Sequence, residues 1–290
     1  MKQRINKIMS NNYNKNLQYA ELDILKQFIN VCNKENLQYY VVGGTLLGAV
    51  KHKGFIPWDD DIDVSMPRKD FDRFLNVAQK HLPEPYFLQT YITDKNVRFN
   101  YAKIRNSQTT FIEQSVKKLD INHGVFIDIF PLDYYPVSKI KSFLVYSYIK
   151  SLMLIIRTKD CYVIDEMPFL KKTIKKFISV ILKIIFPNSN ILLNKINTLL
   201  KSVKNSHLII NYCGIWRKRE VAPIQWFKEG TDLQFETITV KAPKEYDKYL
   251  TRIYGDYMKL PPKEKQISHN TAIVDLENPY TKYMNNETNK

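Results

Sequence analysis

The chain has 290 residues, 44% of them apolar and 13% aromatic, and its 44 basic against 29 acidic side chains give a net charge of +15. That composition excludes a disordered chain and leaves ample material for a buried core. The basic excess points to an anionic partner, whether nucleic acid, an anionic membrane face or a phosphate-bearing substrate.

After a flexible start over residues 1–16, Leu22, Leu25, Phe28, Ile29 and Cys32 recur at helical spacing within 17–33. Residues 37–42 read as a strand running into Gly43-Gly44, with Thr45 as N-cap of a short helix through Lys51. Gly54 and Pro57 break that helix before Asp59, Asp60, Asp61 and Asp63, which enter a strand-like run from Ile62 to Met66. Arg68 to His81 is a second amphipathic helix. Residues 98–114 read as a hairpin turning near Asn106-Ser107, and 124–133 as an apolar strand with one central acid, Asp128, ended by Pro131.

From 138 to 207 the character becomes helical and lysine-rich. Within 170–186, Ile174, Phe177, Ile178, Ile181, Leu182 and Ile185 share one face, and Lys171, Lys172, Lys175, Lys176 and Lys183 flank the other. The pattern fits a helix lying on an anionic membrane and equally a core helix with a solvated lysine face. Residues 235–240 alternate like a strand, Pro243 opens a helix ending near Gly255, and 271–290 read as a flexible tail. Cys32, Cys161 and Cys213 form neither a CxxC nor a zinc quartet, so a cytoplasmic protein is expected. No signal-peptide core or membrane-spanning run is present in the sequence.

The chemistry concentrates in residues 41–66. In an extended strand, residues two apart share a face at roughly 6.5–7 Å between Cα atoms. Asp59, Asp61 and Asp63 then crowd on one side, where repulsion is unfavourable without a cation between them. A run of aspartates can also be a solvated turn, but here it enters an apolar strand. Hard divalent cations suit such an oxygen-rich setting, and glycines before a helix leave N–H groups for phosphate oxygens. The pattern predicts metal-assisted phosphoryl or nucleotidyl transfer. Asp128, flanked by Ile127 and Ile129, is the expected third acid and proton acceptor. Lys51, Lys103 and Arg105 are candidate phosphate partners, and Trp58 a wall or stacking surface for a base. His269 is a lone histidine in a Pro-rich loop.

GGTLLGAVKHKGFIPWDDDIDVSMPR (43–68), KIRNSQTTFIE (103–113), GVFIDIFPLD (124–133) and YGDYMKLPP…H (254–269) together resemble the LicD family, over roughly residues 20 to 270. The resemblance implies a nucleotidyltransferase-like α/β (α+β) fold, a mixed sheet core with a helical insertion, distantly related to fukutin-type enzymes. It also implies transfer of phosphocholine, or another phospho-alcohol such as ribitol phosphate, from a CDP-activated donor to a glycan. The family's DxD acids fall on Asp61 and Asp63 with Asp59 upstream, its glycine motif on Gly43-Gly44, and the acid of its IDIFP segment on Asp128.

The expected organisation is a catalytic core over 17–137, a basic helical insertion over 138–207 and a return to the core over 208–270. The expected metal ligands are Asp59, Asp61, Asp63 and Asp128, holding Mg2+ or Mn2+. Gly43, Gly44, Thr45, Lys51, Trp58, Lys103, Arg105 and His269 are expected at the substrate. The expected partners are a CDP-alcohol donor, a glycan or lipid-linked glycan acceptor and an anionic membrane touching 170–186 on its inner face, with no nucleic acid. Rival readings are a strict nucleotidyltransferase attacking the α-phosphorus of an NTP, a DxD-type glycosyltransferase, and a non-catalytic basic protein on membrane or nucleic acid.

Overall fold

The computed structural model describes residues 2–160, 168–262, 264, 266 and 271–284. The elements in order are α1 (Lys2–Glu35), β1 (Tyr40–Val41), α2 (Gly43–His52), β2 (Asp63–Pro67), α3 (Arg68–His81), β3 (Tyr86–Gln89), β4 (Ala102–Asn106), β5 (Thr110–Glu113) and β6 (Val125–Tyr134). Three helices follow, α4 (Lys139–Lys159), α5 (Phe169–Ile185) and α6 (Ser189–Ser202). The chain returns through β7 (Leu208–Ile210), β8 (Ala222–Pro223), β9 (Thr231–Phe235), β10 (Ile238–Ala242), α7 (Tyr246–Tyr254) and β11 (Thr271–Asp275).

The fold is mixed α/β. Seven strands form one sheet, ordered β1-β2-β6-β4-β3, with β7 joining the far end of β6 and β8 joining β7. Within it β2 and β6 are parallel and the other pairs antiparallel. Periodic apolar stripes cover it: Leu22, Leu25 and Phe28 of α1 and Phe71, Phe74 and Ala78 of α3 are buried in one cluster with Ile104, Ile127 and Ile129 of the sheet.

Pro131 does not end its strand. Asp128 N–H bonds to Ile62 O, so even-numbered residues of β6 turn their backbone toward β2 and odd-numbered ones toward the other side. On that other side β4 stops at Ala102 opposite Ile129, and β7 begins at Ile210 opposite Asp133. Pro131 falls in the gap between them, where a missing N–H removes no ladder bond.

Several local readings yield to long-range contacts. Residues 102–113 do not close a hairpin: β4 pairs with β6, while β5 leaves the sheet and pairs with β11. Thr271–Asp275 is thus an ordered strand where a polar tail was expected. The first helix starts at Lys2 rather than at residue 17. The stretch 235–240, expected as one strand, holds the end of β9, a turn at 236–237 and most of β10, with Glu236 at φ +52° donating its N–H to Lys53 O at 2.7 Å. Its carboxylate accepts Phe55 N–H at 3.0 Å, so this hairpin tip grips the turn that leads into the acids.

The helices of 138–207 carry a second apolar cluster: Ile149, Leu152 and Ile156 of α4 and Leu192, Leu193 and Ile196 of α6, packed with Tyr135 and Tyr212. Helix α5 stands outside it. Among its described side chains only Ser179 is buried, its hydroxyl donating to Lys159 O. Phe177 is 68% and Ile184 76% exposed, so the apolar face of α5 is not a core face. Among the described residues no single helix is long and apolar enough to cross a membrane.

Candidate active site

The site forms where the β1–α2 turn and the loop 56–61 meet the parallel pair β2–β6. Val42 N–H bonds to Asp63 O at 3.1 Å, placing the start of α2 against the start of β2. Gly43 has φ +57°, and a Cβ there would lie 2.8 Å from Asp63 Oδ2. A Cβ on Gly44 would lie 2.5 Å from Asp59 Oδ2. The glycines therefore let two carboxylates press against the first turn of α2, where the helix dipole favours negative charge. Gly43→Ala is expected to lower stability by about 1–2 kcal/mol through the left-handed backbone and to displace Asp63. Thermal unfolding and turnover, both impaired, are the readouts.

Thr45 is not the cap of α2; Val42 occupies that position, and Thr45 Oγ1 instead accepts Asp63 N–H at 2.8 Å. The strand begins at Asp63, so Asp59, Asp60 and Asp61 come from the preceding loop rather than from one pleated face. Helix α1 holds that loop. Gln18 Nε2 donates to the carbonyls of Asp59 and Ile56 at 2.8 and 3.3 Å, and Asn14 Nδ2 to Pro57 O at 2.9 Å. Asp60 is buried, unlike its neighbours in the loop.

Across the sheet, Asp63 stands in register with Asp128, and Asp128 with Lys103. All three side chains share one face. Lys103 Nζ lies 3.0 Å from Asp128 Oδ1, 3.4 Å from Glu113 Oε2 and 3.3 Å from the centre of the Phe126 ring. Arg105, fully buried, bonds to Gln89 Oε1 and Gly124 O at 2.5 and 2.7 Å and reaches Glu113 at 3.6 Å. Burial pushes Glu113 up, but Lys103 and Arg105 more than offset it and hold it below the usual carboxylate range. Asp128 stays raised by burial despite Lys103. Asp63 is raised well above the ordinary value by burial, then by Asp61, Asp128, Asp59 and Glu220, all of them negative.

Of the other expected residues, Lys51 donates to Met258 O at 2.8 Å, away from the acids. Trp58 is half-buried in the turn before Asp59, and His269 lies outside the described residues. Three acids of this region escaped the sequence reading. Glu113 pairs with the Lys103–Arg105 strand; Glu220, buried and pushed up to about 7, accepts Trp216 N–H at 3.1 Å. Glu21 lies buried on α1. Its sequence signal is an acid within a buried apolar helical stripe, between Leu17 and Leu25.

A cavity of about 300 Å³ opens beside this cluster, between Lys103 and Arg105 of β4, Glu113 of β5, Phe99 and Tyr101 before β4, and Met153 of α4. A larger one of about 790 Å³ surrounds Arg68 and Asp133 at the other end of β2 and β6, roughly 13 Å along the strands from Asp63. There Arg68 closes on Asp133 with two bonds of 2.7 Å and reaches Asp72 at 3.5 Å, whereas the smaller cavity is the one lined by Lys103, the partner of Asp128.

Among the described residues no group of three or more His, Cys, Asp or Glu side chains converges tightly enough, as placed, to hold a metal ion. In chemistry the donor set fits a hard divalent cation: all oxygen, largely buried, and at Asp63 surrounded by negative charge. Rotation of the carboxylates onto an ion is what binding would require.

A family model described as LicD/FKTN/FKRP, nucleotidyltransferase domain, matches residues 36–175. The lipopolysaccharide cholinephosphotransferase LicD of Haemophilus influenzae is 31% identical over 260 residues, covering 86% of this chain and 92% of that protein. Two uncharacterized proteins match shorter stretches. The one from Rickettsia typhi is 39% identical over 54 residues, 19% of this chain and 18% of its own. The one from Rickettsia prowazekii is 43% identical over 47 residues, 16% of this chain and 18% of its own. With a relative of that identity aligned along most of both chains, and with acids and glycines gathered where the β1–α2 turn meets the parallel pair β2–β6, the chain belongs to the LicD family of transferases.

Proposed function

We propose that the protein transfers a phospho-alcohol, phosphocholine or a similar group, from a CDP-activated donor to a hydroxyl of a lipopolysaccharide-type glycan or its lipid-linked precursor. Mg2+ or Mn2+ is the cofactor of this reading, with Asp59, Asp61, Asp63 and Asp128 as its ligands. The observation that carries it is the register of Asp63 with Asp128 beside the Gly43-Gly44 turn, in a chain similar to a lipopolysaccharide cholinephosphotransferase.

The acceptor oxygen attacks the alcohol-bearing phosphorus, the bond from that phosphorus to the CMP oxygen breaks, and the hydroxyl proton passes to a carboxylate. Asp128 suits that role, because burial keeps it more basic than an ordinary aspartate. The N–H groups opening α2 and the cations Lys103 and Arg105 favour phosphate oxygens on the same face. A bound divalent ion would neutralise charge on the leaving phosphate. Purified protein with Mg2+ and a panel of CDP-alcohols should release CMP. Pyrophosphate release from CTP, with every CDP-alcohol left intact, would overturn the reading in favour of a strict nucleotidyltransferase.

The acceptor's lipid end suggests where the reaction takes place. Helix α5 turns Ile174, Phe177, Ile181 and Ile184 outward, with Lys171, Lys176 and Lys183 also exposed. An apolar face collared by lysines complements an anionic lipid surface, whereas a second copy of the chain would bring like charges together. On this reading the protein works on the cytoplasmic face of a membrane, which this exposed face supports. Replacing both Phe177 and Ile184 by Asp should weaken binding to phosphatidylglycerol vesicles at least about tenfold. Equal co-sedimentation of the variant and the parent protein would refute the contact.

A further inference from the structure

Asn14 and Gln18 of α1 bond the acidic loop, and Glu21 continues their helix stripe by one further turn before Leu25 enters the core. The first two have clear uses, since their amides donate to the carbonyls of residues 57 and 59. Glu21 has none of that kind. It is 1% exposed, and its Oε2 has no hydrogen-bond partner among the described residues. The charges acting on it, after burial itself, are those of Asp61, Asp60, Asp59 and Asp128, in falling order, and every one raises its pKa.

A carboxylate in that position is not explained by packing. The stripe is otherwise filled by leucine or by amides that bond the loop, and glutamine at 21 would fill the same volume without charge. A buried carboxyl beside other acids is unfavourable as an anion; it is accommodated either by taking up a proton or by a cation shared with its neighbours. Nor does the matched family model include the residue, for it begins at residue 36.

We propose that Glu21 is a further carboxylate of the divalent-cation site, supplied by α1 from behind the Asp59–Asp61 loop. It supplies a buried oxygen without a hydrogen-bond partner, one helical turn from the Gln18 amide that holds the loop, and makes the seating of α1 on the loop depend on the ion. This rests on the metal reading above. It adds a ligand or ligand-orienting acid from outside the DxD segment, and it makes cation binding a contact between the first helix and the sheet.

Mn2+ alone is the probe, with the full chain, isothermal titration for affinity and thermal unfolding with and without the ion. Wild-type protein should bind Mn2+ and melt at a higher temperature in its presence. Glu21→Gln should bind at least tenfold more weakly and gain less from the ion. Without metal it should melt no lower than wild type, because a repelled charge has been removed. Equal Mn2+ affinity in the two proteins would overturn the role of Glu21 and leave the metal reading standing. A metal-free Glu21→Gln that melts lower, or does not fold, would also overturn it, by showing that the carboxylate is structural. Failure of the wild type to bind Mn2+ would remove both.

Discussion

Asp63→Asn is expected to cut CMP release from a CDP-alcohol by on the order of 10³-fold while the fold persists. The asparagine keeps the volume, and the backbone bonds to Val42 and Thr45 do not involve the side chain. It also removes a buried charge. The folded-state pKa of Asp63 is raised, so the stability it allows is full below the ordinary carboxylate range and is lost as pH rises through the raised value. Glu220 behaves likewise, losing stability between its usual 4.5 and about 7. These two groups therefore lower the stability of metal-free protein as pH rises toward neutral, and Asp63→Asn should lose less over that range than wild type. Melting curves across that range, run with chelator, measure the difference. Identical pH profiles, or wild-type turnover in the variant, would remove Asp63 from the centre of the site.

Lys103→Met is expected to have the largest effect on stability. Lys103 is 2% exposed and is the ion-pair partner of both Asp128 and Glu113, so methionine leaves two largely buried carboxylates facing each other. Removing one partner of a buried pair costs roughly 3–5 kcal/mol, which for a chain of this size lowers the melting temperature by about 10 °C. Added Mg2+ should recover part of the loss if an ion sits beside Asp128. A change of a degree or two would mean that water already shields the pair. Arg105→Met tests the neighbouring position, where bonds to Gln89 and Gly124 would be lost as well.

What the sequence revealed here were short-range signals. Gly43, Gly44, Asp63 and Asp128 stand out because a charge or a glycine interrupts an apolar strand, and each lies within a few residues of the context that explains it. The errors share the opposite property. Asp59 and Asp61 looked like one pleated face, yet Gln18, some 41 residues earlier, holds their loop out of the strand. Strand β5 looked like the return of a hairpin until its partner, Thr271–Asp275, was in place. Thr45 fits the pattern of a helix cap, and only the pairing of β1 with β2 turns its hydroxyl to Asp63. Glu21 was legible in principle, as an acid on the buried side of an amphipathic helix, but its meaning depends on acids 38 to 40 and 107 positions away.

Strand β6 has a mechanical consequence. It holds Asp128 near one end, and five residues further on it holds Asp133, clamped by Arg68 and paired with β7 beneath the helical insertion. Tilting the helices of 138–207 would therefore pull on the same rod that sets the depth of Asp128. An engineer who swaps the insertion to redirect the enzyme to a different surface should keep Arg68, Asp133 and the Pro131 step unchanged, or the pocket will lose its alignment along with its anchor.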